Sequence, residues 1–254
     1  MTGDTFVNLV EIMKKLRKEC PWDREQTHDS IKAATLEETH ELIEAIDNKD
    51  FEEMKGELGD ILLHIVFHSE IASESNHFDV DDVIQGIVDK LIRRHPHVFG
   101  DVKVKDNKEI LKNWEQIKME EGRNSVLQGV PKNLPQLQRA YRLQEKASKV
   151  GFDWDEKEQV WEKVKEEIEE FEKASKEQNF EEIEEELGDL LFSLTNYARF
   201  IGVNPENALR NTNKKFINRF SFIEQELGKR GKNITDVTLE EMDKYWEESK
   251  KNKN

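Results

Sequence analysis

The sequence predicts an all-α protein made of two tandem copies of one helical-bundle unit. Three observations carry that reading. Apolar residues recur at helical spacing through most of the 254 residues, and no stretch sustains a period of two. Prolines number five and β-branched runs are few, which favours helices over sheets. A set of acids occurs twice at one constant offset of 129, so that Glu37, Glu38, Glu41, Glu57 and Asp60 become Glu166, Glu167, Glu170, Glu186 and Asp189.

The periodicity places helices at 5–18, 29–47, 51–75, 80–94 and 106–121 in the first half, and at 135–149, 156–176, 180–201, 205–227 and 239–251 in the second. Asp47-Asn48-Lys49-Asp50 is a turn signal between the second and third of these, and Lys176-Glu177-Gln178-Asn179 is its later counterpart. The segment 122–135 carries two glycines and two prolines and reads as a linker. It divides the chain into an expected N-terminal domain, 1–122, and a linker plus C-terminal domain, 123–254. The copies match beyond the acids. Trp22-Asp23 recurs as Trp154-Asp155, Phe51 as Phe180, and Lys90 with Arg94 as Lys215 with Arg219. Trp114-Glu115-x-x-Lys118 recurs as Trp246-Glu247-x-x-Lys250. This is duplication of a whole helical unit, not a short-period solenoid.

Composition narrows the function classes. Charged residues make up 37% and the net charge is −16, which argues against a general nucleic-acid binder with a basic face. Cys20 is the only cysteine, which excludes an intramolecular disulfide and a thiolate metal cluster and fits a reducing cytoplasm. The N-terminus shows no basic segment followed by an apolar one, so no leader is expected. The longest apolar run, 61–67, is interrupted by His64 and is too short to span a bilayer. The expected setting is therefore cytoplasmic, with no membrane partner.

The acids are placed to meet. Glu38 and Glu41 are three apart and share a helix face, as do Glu57 and Asp60. Folding back at the 47–50 turn makes an antiparallel hairpin with Glu41 level with Glu57 and Glu38 level with Asp60. At a rise of about 1.5 Å per residue each pair spans less than one turn, so four carboxylates can gather. The second half repeats the pairing with Glu167, Glu170, Glu186 and Asp189. Solvated surface acids account fully for Glu52, Glu53, Glu181 and Glu182; for Glu37 and Glu166 that reading stands level with a functional one. They account poorly for Asp60, which precedes Ile-Leu-Leu, and Asp189, which precedes Leu-Leu-Phe. A carboxylate beside an apolar face is expensive unless it is paired or metal-bound. Gly59 and Gly188, in mid-helix, point to a close helix approach or room for a ligand. All-oxygen ligation selects Mg²⁺, with Mn²⁺ as the alternative, and Mg²⁺ commonly bridges to substrate phosphates.

Positive charge for phosphate is available. Lys90, Arg93 and Arg94 cluster before His95-Pro96-His97, and Lys214, Lys215 and Arg219 follow in the second half. Such residues also answer a helix C-terminal dipole. Trp22 and Trp154 can stack on a base or fill a core. Two other functions stay open at this point. A di-iron carboxylate bundle needs Glu-x-x-His on two helices; Glu37-x-x-His40 fits, Glu25-x-x-His28 fits but lies at or before a helix start, and the histidine-free second half supplies none. A non-catalytic helical scaffold would use the acidic faces to bind a partner.

The motifs resemble the MazG family of the all-α NTP pyrophosphatase superfamily. E-E-x-x-E followed by E-x-x-D is met by Glu37, Glu38 and Glu41 with Glu57 and Asp60, and by Glu166, Glu167 and Glu170 with Glu186 and Asp189. Cys20-Pro21-Trp22-Asp23, Arg93 to Phe99, Val130-Pro131 to Leu134-Pro135 and Gly151-Phe152-Asp153-Trp154 extend the likeness over nearly the whole chain. The resemblance implies Mg²⁺-dependent cleavage of NTPs or dNTPs to the monophosphate and pyrophosphate. It also implies broad base tolerance, a role in clearing unwanted nucleotides and completion of the bundle in a homodimer. It implies Glu38, Glu41, Glu57 and Asp60, and Glu167, Glu170, Glu186 and Asp189, as metal ligands, with Glu37 or Glu166 acting on the attacking water. It implies phosphate contacts from Lys90, Arg93, Arg94 and Lys118, or from Lys215, Arg219, Trp246 and Lys250. The second copy departs by carrying Asn218 where the first has Arg93, and by lacking the His-Pro-His stretch.

Overall fold

A computed structural model describes residues 2–122 and 124–251; Arg123 of the expected linker falls outside them. The described residues form helices and no strand. In chain order the helices are α1 (Thr2–Glu19), α2 (Pro21–Glu25), α3 (His28–Asn48), α4 (Phe51–Glu74), α5 (Val80–Arg94), α6 (Pro96–Phe99), α7 (Asn107–Glu120), α8 (Gln136–Ser148), α9 (Lys157–Glu177), α10 (Phe180–Phe200), α11 (Pro205–Lys229) and α12 (Leu239–Lys251), with a 3-10 turn at Ile234–Asp236. All ten expected helices are present. The two short additions, α2 and α6, start on Pro21 and Pro96 at the first helical position, where proline lacks only an N–H that would be unbonded anyway. Each is too short to show a period.

The two hairpin turns share one construction. Lys49 and Gln178 both take φ of 58°, the left-handed conformation that ends a helix. Asp50 then caps α4 by accepting from Glu52 N and Glu53 N, and Asn179 caps α10 by accepting from Glu181 N.

The chain divides into two compact units, 1–103 and 104–254. The division falls before α7, earlier than the glycine- and proline-rich segment. Glu115 of α7 is buried and lies within electrostatic reach of Lys146 of α8 and of Lys149 just beyond it, which ties α7 to the second unit.

In the first unit α1 packs on α4, and α3 pairs with α4. Val10, Met13, Ile31, Val66 and Phe67 form the core. Arg17 staples it: Nε and Nη2 donate to Glu74 at 2.7 and 2.6 Å, and Nη1 donates to Gln26 O at 3.0 Å and to Asp23 O. The guanidinium also lies over the Phe67 ring at 5.7 Å. Along α5, Val83, Ile84, Ile87, Val88, Leu91 and Ile92 remain exposed in the single chain.

In the second unit α9 pairs with α10, and α8 lies against α10. Ile223, Leu227 and Tyr245 form a core between α11 and α12. Val160, Val164 and Ala174 bury the inner face of α9.

Candidate active site

The α3–α4 hairpin brings Glu38, Glu41 and Glu57 together, each offering one carboxylate oxygen within 4.8 Å of the others. The α9–α10 hairpin does the same with Glu167, Glu186 and Asp189. The fourth acid of each set is close enough to act electrically. Partial burial, then the Glu41, Glu38 and Asp60 carboxylates, push the Glu57 pKa above the ordinary range. Partial burial, then Glu170, Asp189 and Glu167, do the same to Glu186. The order, with Glu41 the largest charge influence on Glu57 and Glu170 on Glu186, matches the register expected from the turns.

Two expectations about these acids need correction. Asp60 and Asp189 are exposed, not sunk in apolar surroundings. The leucines around them, Leu58, Leu62, Leu187 and Leu191, are themselves exposed in the single chain, so their apolar sequence context did not bury the carboxylates. Of the two explanations for Gly59 and Gly188, the close helix approach falls, since a Cβ at either position would meet nothing within 4 Å, and the open space leaves room for a ligand.

The donor set fits a hard cation. Oxygens make up both clusters, and no histidine joins either among the described residues. Glu57 Oε2 is buried without a hydrogen-bond partner there. Glu57, with its pKa raised by partial burial and neighbouring carboxylates and one oxygen orphaned, marks the first cluster as short of positive charge. The same geometry removes the basis of a di-iron reading. His28, His64 and His68 gather instead around Thr35, with His28 Nδ1 2.9 Å from His68 Nδ1 and Thr35 Oγ1 2.9 Å from His64 Nδ1. His40 is exposed.

The second cluster has a cation of its own. Lys163 lies one turn before Glu167, and its ammonium sits 2.9 Å from Glu166 and 2.7 Å from Glu167. Hydrogen bonds to Glu166 and then Glu167 raise its pKa, so it stays charged. At the repeat offset of 129 the first copy has Ala34 in this place. Spacing of four residues from Glu167 was the signal available in the sequence, and it was missed.

A cavity of about 800 Å³ opens beside this cluster, lined among others by Lys163, Glu167, Asp189, Trp154, Phe152 and Asn196. Its far wall is built by ion pairing and by a strap. Arg199 Nη1 donates to Asp153 Oδ2 at 3.0 Å, and Nε and Nη2 donate to Asn196 Oδ1 at 3.0 and 2.9 Å. Lys146, 4% exposed, donates to Val126 O and Gln128 O, each at 3.0 Å. That clamp sets Leu127 into the cavity wall. In the first unit Phe67 stands where the offset puts Asn196, and it is buried with Met13 in the core.

The basic residues fall into separate groups. Lys90, Arg93 and Arg94 lie on α5, which packs on α4. Lys118 lies in the second unit, 2.6 Å from Glu115 and 4.7 Å from the Trp114 ring centroid, both members of the ion pair being largely buried. Lys215 and Arg219 are one turn apart on α11. Arg219 lies 5.3 Å over Trp246 of α12, and Lys250 is ion-paired to Glu247. Trp22 is exposed, and Glu37 and Glu166 are exposed at the edges of their clusters.

The model of the MazG nucleotide pyrophosphohydrolase domain matches the chain twice, at residues 26–99 and 155–221. The chain belongs to this MazG family. Its membership covers both hairpins and every acid of the two clusters. A MazG nucleoside triphosphate pyrophosphohydrolase/pyrophosphatase of Thermotoga maritima is 47% identical over 253 residues, covering 98% of this chain and 96% of that protein. A nucleoside triphosphate pyrophosphohydrolase of Escherichia coli (strain K12) is 43% identical, covering 96% of each. A crystal structure of a mazG-related protein from Thermotoga maritima aligns at 27% identity with a TM-score of 0.40, over 44% of this chain and 97% of that one. No helix among the described residues is long and apolar enough to cross a membrane.

Proposed function

We propose that this chain hydrolyses nucleoside triphosphates, ribo- and deoxyribo-, to the monophosphate and pyrophosphate, with the second unit as the faster reaction centre. The observation that carries this is the apolar cavity opening directly onto Glu167 and Asp189. A triphosphate needs a cation-binding end and a base-binding end within one nucleotide length, and the second unit offers both. Walls that are mostly apolar favour broad base tolerance, and a role in clearing unwanted nucleotides is proposed with it.

Mg²⁺, or Mn²⁺, is the expected cofactor, held by Glu167, Glu170, Glu186 and Asp189, and in the first copy by Glu38, Glu41, Glu57 and Asp60. When bound it supplies charge neutralisation for phosphate oxygens and a more acidic water. Glu166, or Glu37 in the first copy, orients the attacking water and takes its proton. Lys163 adds positive charge where the phosphate chain meets the acids. Lys215, Arg219 and Lys250, with Trp246 steadying Arg219, hold the leaving pyrophosphate. Lys90, Arg93 and Arg94 are assigned the corresponding role for the first copy, whereas Lys118, which belongs to the second unit and is ion-paired to Glu115, is not. Trp154 and Phe152 offer faces for the base.

A homodimer is part of the proposal. The unpartnered apolar residues of α5 and the exposed leucines flanking both acid clusters call for cover, and a second copy supplies it by symmetry. A cytoplasmic setting, with no membrane or nucleic-acid partner, goes with it. The deciding experiment measures pyrophosphate release from a panel of NTPs and dNTPs with and without Mg²⁺. The expected result is release from several bases that stops on chelation. Absence of pyrophosphate from every member with Mg²⁺ present overturns the reading.

A further inference from the structure

The cavity beside the second acid cluster contains a polar group that the fold leaves half-satisfied. Gln144 of α8 is 8% exposed and lines this cavity with Glu167 and Asp189. Its amide orientation is fixed, because Nε2 donates to Phe192 O at 2.9 Å. Turning the amide over would set oxygen against oxygen. The other end, Oε1, is buried, and no donor reaches it among the described residues. An acceptor desolvated by the fold without a hydrogen bond is costly, and a ligand donor removes that cost.

We propose that Gln144 Oε1 accepts a hydrogen bond from an N–H on the pairing edge of the substrate's base, the 6-amino group in the case of adenine. This rests on reading the cavity as the nucleotide site, and it names the atom that grips the base there. The chemistry suits a tolerant enzyme. Adenine and cytosine carry an amino group on that edge, guanine an N1–H and a 2-amino group, and uracil and thymine an N3–H. One acceptor between apolar walls engages any of them and rejects none strongly. Phe152, Trp154, Phe192 and the strap residue Leu127 supply those walls. The first unit has no matching arrangement at the equivalent helix face, where Met13 is buried against Phe67.

The test pairs a substrate change with a residue change. Purine riboside triphosphate is ATP without the 6-amino group. The intact enzyme should prefer ATP in kcat/KM by about tenfold, carried in KM. In Gln144→Met the ratio should fall to about one. A structural defect would lower both substrates together and leave their ratio intact. The wild-type comparison needs no variant to fold, and equal kcat/KM for the two nucleotides there overturns the proposal. Persistence of the preference in Gln144→Met also overturns it. Glu186→Gln separates this from the underlying reading. If that variant still releases pyrophosphate at the wild-type rate, the site itself is misplaced. If it is inactive while the ATP preference survives in Gln144→Met, only the role of Gln144 falls.

Discussion

The two units carry the same acids on the same hairpin and differ in what lies about two helical turns further along. In the first, Phe67, Met13 and the Arg17 staple make a closed core behind the cluster. In the second, Asn196, Gln144 and Arg199 line an open cavity, and Lys163 stands beside the acids where the first has Ala34. On the proposed reading, a duplicated acid constellation is thus not a duplicated active site. The acids define where charge is held; the stretch beyond them defines whether there is room for a substrate. In the first unit that stretch closes a core, and in the second it leaves a cavity.

The comparison can be broken most severely by filling the second cavity. Asn196→Phe copies the first unit's residue into it and should lower kcat/KM roughly a hundredfold, mainly by misplacing substrate. Steady-state kinetics on any good NTP substrate reads this. Retained activity would mean that the cavity is not where the nucleotide lies. The reciprocal change is a matter of folding. Phe67→Ala removes a ring that is 5% exposed and should cost about 3–5 kcal/mol, read by denaturant unfolding, while pyrophosphate release per folded molecule stays near wild type.

A smaller effect concerns the staple. The hydrogen bond from Arg17 holds the Glu74 carboxyl below its ordinary 4.5. A depressed carboxylate adds stability above its unfolded pKa and loses it as pH falls through the folded value. Glu74 is 43% exposed, so screening limits the contribution to about 1 kcal/mol at pH 7. Glu74→Gln should therefore destabilise the protein at pH 7 by that amount. Unlike wild type, it should show no loss from this pair as pH drops below about 4.5. Denaturant melts across that window check it.

Much of this was legible in the sequence for identifiable reasons. Helix positions follow from apolar spacing, which local contacts enforce. The hairpin register follows from two turn signals, and in each copy three of the four expected acids lie within reach of one another. What was not legible is non-local. The cavity exists because α8 lies across α10 and because Lys146 pulls the 126–128 strap inward, and neither contact leaves a period in the sequence. Asp60 and Asp189 were misjudged because an apolar neighbour in sequence was read as a buried neighbour in space. Leu62 and Leu191 belong to faces that the single chain leaves uncovered. The linker was read from its glycines and prolines, but α7 before it is grouped with the second unit, partly through the electrostatic neighbourhood of Glu115, Lys146 and Lys149.

The most direct test sets one carboxylate of each unit against its twin. Glu57→Gln and Glu186→Gln remove equivalent oxygens, and pyrophosphate release is measured for each at saturating Mg²⁺ and NTP. The account predicts a fall of about a hundredfold or more for Glu186→Gln and a change of roughly twofold or less for Glu57→Gln. Equal losses in the two variants, or a larger loss in Glu57→Gln, would contradict it.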